Sequence, residues 1–332
     1  MQGPGGIWIP VIPRDFIVGE IGAIARDRNI ASIAIPGYWI HKDEKLLLEN
    51  PPAPGEKVIY FLHGGGYVEG TAHPNGEASK IVKGFLRNSS SRSLRRTFGV
   101  EYRLSRQGEP GEGSVSQFPA ALIDALAGYL HLIKFGFPEE NIVVVGDSAG
   151  GNLALALTRY LLLNKEKQPK LPKAPTALVL LSPWSDLSEQ FNSPDPHSSR
   201  VKNADRDWLQ PIGSGAIDKE TKAFLGGRQE HVELAYRNPY ISPASPVVLG
   251  LTPDSPRIIS FKGFPRTFID NGTFDTLYDQ VLRLRDEMAE DLGKGAVVYN
   301  EVGGVPHDYL FIDWCDPDRT ETSKKILKWL GL

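Results

Sequence analysis

The sequence predicts a doubly wound α/β fold: a mostly parallel sheet, wrapped by helices on both faces and covered by a helical cap. Three observations carry this. Short β-branched apolar runs recur as continuous blocks, the pattern of strands buried on both faces. Helical patterns fill the intervals between them. A long polar stretch from Asp186 to about Arg237 then interrupts the alternation, and it is too long for a bare loop.

Taken in order, strands are predicted over residues 35–40, 58–62, 98–102, 142–145, 177–181, 267–269 and 296–299. A helix is predicted over 118–133, with Pro119 near its start, where the missing N–H costs nothing. Another follows over 149–163, rich in alanine and leucine. A third begins at Leu277, with Val281, Leu284, Met288 and Leu292 on one face and Gly293 as its stop. Residues 323–330 form a closing helix. The polar insertion keeps scattered apolar anchors, Phe191, Trp208, Leu209, Phe224 and Leu225, as a helical cap would. The chain is therefore divided into an N-terminal cap segment with the first strand (1–45), a first core part (46–185), the cap insertion (186–237) and a second core part (238–332). Residues 107–117 are expected as a surface loop, and Arg92, Arg95 and Arg96 as a solvated face before a strand.

Composition narrows the class. With 332 residues, 41% hydrophobic and 23% charged, the chain is that of a globular enzyme-sized protein. A net charge of −3 gives no electrostatic case for nucleic acid or an anionic membrane. No run of about 18 apolar residues spans a bilayer. The first residues lack a basic region followed by an apolar core, and Cys315 is the single cysteine, so a cytoplasmic location is expected. For the same reason the sequons at Asn88 and Asn271 are read as unmodified. No cofactor or metal is implied: neither paired histidine nor paired cysteine spacings occur, and the glycine-rich loop lacks a Gly-Lys-Ser/Thr ending.

Two strand ends carry chemistry. Gly146-Asp147-Ser148-Ala149-Gly150 fits Gly-x-Ser-x-Gly, a sharp strand-to-helix turn that exposes a serine oxygen. Its glycines are needed because strand and helix backbones crowd that turn. His63-Gly64-Gly65-Gly66 ends another strand and fits a loop whose bare N–H groups face a developing oxyanion. The expected donors are the N–H groups of Gly64, Gly65 and Ala149, the last at a helix N-terminus. A serine needs a base, and the base needs a carboxylate to hold its tautomer. In the α/β-hydrolase layout the order is serine, acid, histidine. His41, His63, His73 and His131 come too early, and His197 and His231 lie in the cap. His307 follows the last strand and is the candidate base, while His63 is expected to brace the glycine loop. A histidine base predicts activity lost on the acid side near the ordinary imidazole pKa. Asp270, Asp275 and Asp279 all follow the strand at 267–269; Asp270 sits at its end, Asp275 in the loop beyond Gly272, and Asp279 in the next helix.

The chain at this point resembles the hormone-sensitive-lipase-like group of α/β-hydrolases. The pieces are His63-Gly64-Gly65-Gly66-Tyr67, Glu101-Tyr102-Arg103-Leu104, Phe118-Pro119-Ala120-Ala121, Gly146 to Asn152, Asn238 to Pro243, and Gly272-x-x-Asp275-x-Leu277-x-x-Asp279. The resemblance implies a carboxylic ester hydrolase for short to medium acyl groups, with Ser148, Asp275 and His307 as triad and a cap built from the N-terminus and the insertion. Departures are Glu101 in place of Asp, Ser105-Arg106-Gln107 in place of Ala-Pro-Glu, and Asp308-Tyr309 where Gly-Phe usually follows the histidine. Trp208, Tyr67 and Trp8 are candidates for walls of an acyl pocket, against the alternative that Trp208 is cap packing. The partner is then a small-molecule ester. An amidase or deacetylase on the same triad, or a non-catalytic small-molecule receptor of this fold, are the competing functions. Retention of His307 argues against the receptor.

Overall fold

The computed structural model describes residues 5–43, 50–108, 115–191, 195–209, 216–226, 232–251 and 257–332; the side chains of 190–191, 216–220 and 232 are outside that description. Among the described residues, eight strands form one sheet: β1 (Gly6–Ile9), β2 (Ile35–His41), β3 (Lys57–Leu62), β4 (Leu94–Val100), β5 (Ile142–Asp147), β6 (Ala177–Leu181), β7 (Arg266–Gly272) and β8 (Val297–Val302). Their spatial order is β1-β2-β4-β3-β5-β6-β7-β8. β2 is antiparallel to both neighbours, and every pairing from β4 to β8 is parallel. The expected fold class is the observed one.

The helices in chain order are α1 (Gly19–Asp27), α2 (Ser79–Asn88), α3 (Ala120–Phe135), α4 (Ala149–Asn164), α5 (Ser199–Lys202), α6 (Ala216–Leu225), α7 (Val232–Arg237), α8 (Pro246–Leu249), α9 (Tyr278–Leu292) and α10 (Asp318–Leu330). Successive strand side chains point to opposite faces, and the core divides accordingly. Val58, Tyr60 and Leu62 of β3 and Val144 of β5 pack in one cluster with α3, α4 and α9. Ile59, Phe61, Val143 and Val145 pack in the other with α2 and α10. This double burial is why the strands read as unbroken apolar runs.

Some elements differ from expectation. β1 and α2 were not anticipated: β1 has four residues, and α2 is a short helix whose buried Ile81, Val82, Phe85 and Leu86 stand among polar neighbours. α10 starts five residues earlier than the 323–330 reading, at Asp318. β4 begins at Leu94, not Phe98, so Arg95 and Arg96 lie within the sheet. Arg92 is exposed and Arg95 half-buried, but Arg96 is fully buried, which corrects its reading as solvated. Its Nε donates to Glu56 Oε1 at 2.8 Å, and its guanidinium lies 5.0–5.3 Å from the rings of Trp39, Phe135 and Phe137. A buried charge is tolerated when so paired.

The insertion leaves the sheet between β6 and β7 and carries α5 to α7. The N-terminal segment joins it: Arg28 Nη1 donates to Phe118 O (3.0 Å) and to Leu225 O (2.8 Å) at the end of α6. That segment also supplies β1 and β2, so it is partly core. The central part of the 107–117 loop lies outside the described residues, as does the Phe191 side chain.

Candidate active site

Ser148 stands where β5 ends and α4 begins, with φ +50° and ψ −118°. A non-glycine residue takes that conformation only when its surroundings enforce it. Here the Ser148 N–H donates to Leu181 O (2.9 Å), and its carbonyl accepts from Trp184 N (3.0 Å). The flanking glycines have no room for a side chain. A Cβ at Gly146 would lie 2.2 Å from Gly150 O, and one at Gly150 would lie 2.0 Å from Leu62 O.

The candidate acid and base come from the next loops along the same sheet edge. Asp275 follows β7 and is fully buried; its Oδ1 accepts the Leu277 N–H (2.7 Å). His307 follows β8, and its Nδ1 pairs with Asp275 Oδ2 at 3.0 Å. The histidine loop is drawn toward the elbow through Ser182, whose Oγ accepts the Asp308 N–H (3.1 Å) one residue beyond Leu181. Gly272 allows the passage, since a Cβ there would lie 2.1 Å from Val305 O. The other two acids go elsewhere. Asp270 is buried and accepts from Asn300 Nδ2 (2.6 Å) and Tyr309 Oη (3.1 Å). Asp279 accepts the Ser199 N–H (2.7 Å) and so ties α9 to α5.

Among the described residues, the His307 ring is hydrogen-bonded to Asp275 through Nδ1, and its Nε2 lies at ion-pair distance, 3.2 Å, from Asp308 Oδ2; no hydrogen bond joins the ring to Ser148 Oγ. Burial alone would lower the His307 pKa, but the Asp308 and Asp275 carboxylates outweigh it and raise it well above the ordinary value. Asp147 is pushed far up by burial and by the facing charge of Asp308.

The glycine loop is held from below. His63 Nδ1 bonds Gly64 O (2.7 Å), and the ring stacks on Tyr102 at 4.2 Å. Because a carbonyl only accepts, that nitrogen carries the hydrogen, and burial lowers the His63 pKa toward this neutral form. Tyr102 Oη donates to His63 O (2.6 Å). Glu101 accepts from Thr71 Oγ1 and from Ala72 N (2.8 Å), so the longer carboxylate still braces the following turn. Gly64 lies against the elbow, where a Cβ would stand 2.6 Å from Asp147 Oδ2. Gly65 and Gly66, at φ +102° and +57°, have no hydrogen-bond acceptor among the described residues. Ala149, first in α4, has no intrahelical acceptor either.

Of the expected pocket walls, Tyr67 is 1% exposed. Its ring lies flat on Phe224 of α6 (3.9 Å), and its Oη donates to Asn152 Oδ1 (2.6 Å). It joins the glycine loop to the cap and faces no open space. Asn152 continues that link by donating to Trp184 O (2.9 Å) and Ile241 O (2.8 Å). Trp8, exposed on β1, is separated from β5 by β2, β4 and β3, so it stands away from the site. Trp208 is 46% exposed, so it is not cap core. Its Nε1 donates to His307 O (2.6 Å), and its ring centroid lies 5.7 Å from that of His307.

The sequence reading missed the latch beside Trp208. Asp207 Oδ1 accepts the His307 N–H (3.1 Å), and its Oδ2 accepts the Thr276 N–H (2.7 Å). Asn203 donates to Thr273 O (3.0 Å) and Asp275 O (2.8 Å). These are ordinary polar residues with no spacing signal. The sequon at Asn271 is closed, because that side chain is fully buried.

An elbow, a glycine loop against it and an Asp–His pair on the neighbouring loops are the parts of an α/β hydrolase. Residues 59–311 match a family model described as alpha/beta hydrolase fold, and the chain belongs to that family. Within it the chain belongs to the hormone-sensitive-lipase-like group. It superposes on a hormone-sensitive lipase from a metagenome library with a TM-score of 0.64 at 25% identity, over 90% of this chain and 80% of that one. An acetyl-hydrolase of Streptomyces hygroscopicus is 28% identical over 203 residues, 61% of this chain and 56% of that protein. The esterase LipU of Mycobacterium tuberculosis is 31% identical over 147 residues, 44% of this chain and 42% of that protein. The matched region thus spans about half the length of these curated relatives. No helix among the described residues is long and apolar enough to cross a membrane.

Proposed function

We propose that this chain hydrolyses carboxylic esters with short to medium acyl groups through a Ser148–His307–Asp275 triad. The observation that carries the reading is the pairing of His307 Nδ1 with a buried Asp275 carboxylate (3.0 Å) on the edge where the elbow presents Ser148. The esterase and acetyl-hydrolase names of the relatives support the same class. In the reaction Ser148 Oγ attacks the ester carbonyl while His307 Nε2 takes its proton. Asp275 holds the tautomer and stabilises the imidazolium. The oxyanion is received by the N–H groups of Gly64, Gly65 and Ala149; one such donor is worth about 2.7–4 kcal/mol of barrier. His307 then protonates the departing alcohol, and water, activated in turn, releases the acid. Trp208 stands at the mouth of the site as a substrate contact. The substrate is a free small molecule, and a cytoplasmic location accords with the lone buried Cys315.

The test is a series of p-nitrophenyl esters from acetate to palmitate, with the matching anilides, on the wild-type chain and on Ser148→Ala and His307→Ala. Hydrolysis of the shorter esters, with both variants below about 1% of it, is expected, since loss of a triad member costs far more than that. An optimum at palmitate would overturn the acyl assignment, a preference for anilides the ester assignment, and retained activity in either variant the triad.

A further inference from the structure

The residue after the candidate base is an aspartate that the hydrolytic scheme does not use. Asp308 is 3% exposed and takes up the left-handed conformation at φ +49°. The resemblance places glycine at this position, and glycine takes that conformation without strain. Aspartate tolerates it better than most side chains, yet here it also buries a carboxylate. Its Oδ2 lies 3.2 Å from His307 Nε2, and its Oδ1 is buried with no hydrogen-bond partner. Among the described residues, the imidazole is thus the group placed to form an ion pair with this carboxylate. Nε2 is also the nitrogen that must accept the proton of Ser148.

We propose that Asp308 is a positioning residue for His307: in the free enzyme its carboxylate takes the Nε2 face of the ring and holds the imidazole with both N–H groups donated, out of reach of Ser148. The inference rests on the triad reading above. Asp275 on Nδ1 and Asp308 on Nε2 clamp the ring between two carboxylates. The remaining groups around it are Asp207 on the His307 N–H, Asp147 at the elbow and the Trp208 ring. Asp270 also acts on Asp308, across the Tyr309 hydroxyl, while Ser182 accepts the Asp308 N–H. All the titratable groups named around the ring are acidic, and Asp308 and Asp275 are the ones that favour the imidazolium. The direction of the His307 pKa, well above the ordinary value, agrees with the clamp. At low pH the Nε2 proton stays between ring and carboxylate. As pH rises that proton passes to solvent, the ion pair dissolves, and the Nε2 lone pair is free to turn to Ser148. The acid limb of kcat/KM therefore lies higher than an ordinary histidine would put it.

The experiment is the pH profile of kcat/KM for p-nitrophenyl acetate in the wild type, Asp308→Asn and Asp308→Gly. Asparagine removes the charge and keeps the shape; glycine suits the backbone and guards against misfolding. In both variants the acid limb is expected to move down by about 1 unit or more, since each unit corresponds to a tenfold change in the fraction of free base. Activity at pH 6 then rises about tenfold, while the alkaline plateaus agree within about threefold. Limbs unmoved within about 0.3 unit in both variants overturn the inference. The wild type gives an independent reading: ring-nitrogen NMR, assigned by loss of the signal in His307→Ala, is expected to find both nitrogens of His307 protonated at pH 7, and a neutral ring there refutes it. The two readings separate cleanly. An active His307→Ala variant removes the triad, whereas an inactive one with an unmoved Asp308→Asn limb removes only the role of Asp308.

Discussion

Trp208 tests whether the cap positions the base or merely covers it. The indole makes one strong contact, Nε1 to His307 O at 2.6 Å, and two ring contacts at 5.7 Å, with His307 and Phe311. Trp208→Phe removes the donor and keeps an aromatic ring. A hydrogen bond of this kind has a net worth of about 0.5–1.5 kcal/mol, a factor of roughly 2 to 12 in rate if the whole loss falls on the placement of the base. Misplacing a catalytic group affects every substrate alike, so that loss is expected in kcat/KM for acetate, butyrate and octanoate esters equally. Trp208→Ala also removes a ring that is 46% exposed beside His307, and so opens space there for acyl carbon. Each methylene that then finds cover gains about 0.8 kcal/mol. The alanine variant is therefore expected to show the uniform loss together with a chain-length profile shifted toward longer esters. The assay is kcat and KM across the ester series at alkaline pH, with Tm to confirm folding. A phenylalanine variant within about 1.5-fold of wild type on all esters would refute the positioning argument, and an unchanged profile in a folded alanine variant would refute the pocket wall.

Asp275→Asn keeps the shape but presents an amide to His307 Nδ1, so the wrong tautomer is favoured; kcat is expected to fall about 10⁴-fold, whereas Asp279→Asn, which loosens only the tie to Ser199, stays within about tenfold, and a reversed ranking would move the acid assignment. Asp270 should act on stability. Burial pushes its pKa up to about 7 against hydrogen bonds from Asn300 and Tyr309, so the folded protein keeps its proton where the unfolded chain, near 3.8, has lost it. For an acid so raised, stability falls as pH rises between about 4 and 7, by a bounding figure of about 4 kcal/mol. Asp270→Asn removes that loss while sparing activity, so its Tm should gain on the wild type as pH is raised from 4 to 8, and a constant Tm difference across that range would refute the argument.

The elements and the triad candidates were legible because their signals are local. The elbow announces itself through glycines that a Cβ would force into Gly150 O or Leu62 O, and the strands through apolar runs that both faces of the sheet require. What was not legible depends on partners far along the chain. Arg96 reads as a solvated charge until Glu56 and the rings of Trp39, Phe135 and Phe137 are brought around it. The stacking of Tyr67 on Phe224, far along the chain, has no local signal either. Asp308 was visible as a departure from Gly-Phe, but its contact with Nε2 is a matter of three dimensions. β1, four residues long, is too short for periodicity to separate from loop, whereas the Ile81, Val82, Phe85, Leu86 spacing of α2 is a helical signal that the sequence reading missed.

The insertion is tied directly to the candidate site. The segment from Ser199 to Trp208 fastens both loops that carry the candidate acid and base: Asn203 holds the Thr273 and Asp275 carbonyls, Asp207 bridges the Thr276 and His307 N–H groups, and Trp208 takes the His307 carbonyl. Backbone groups at loop tips otherwise bond to water and move with it. Here their partners are buried or half-buried side chains of the insertion, so the Asp275–His307 pair is fixed only while that segment is seated. A change in the cap that unseats it therefore enters kcat through the placement of the base, as well as KM through the walls of the pocket. The glycine loop is fastened by a different part of the same insertion, through Phe224 on Tyr67, so the oxyanion donors and the triad depend on the cap through separate contacts. Damage near α6 should then weaken stabilisation of the oxyanion, and damage between Ser199 and Trp208 should weaken proton transfer.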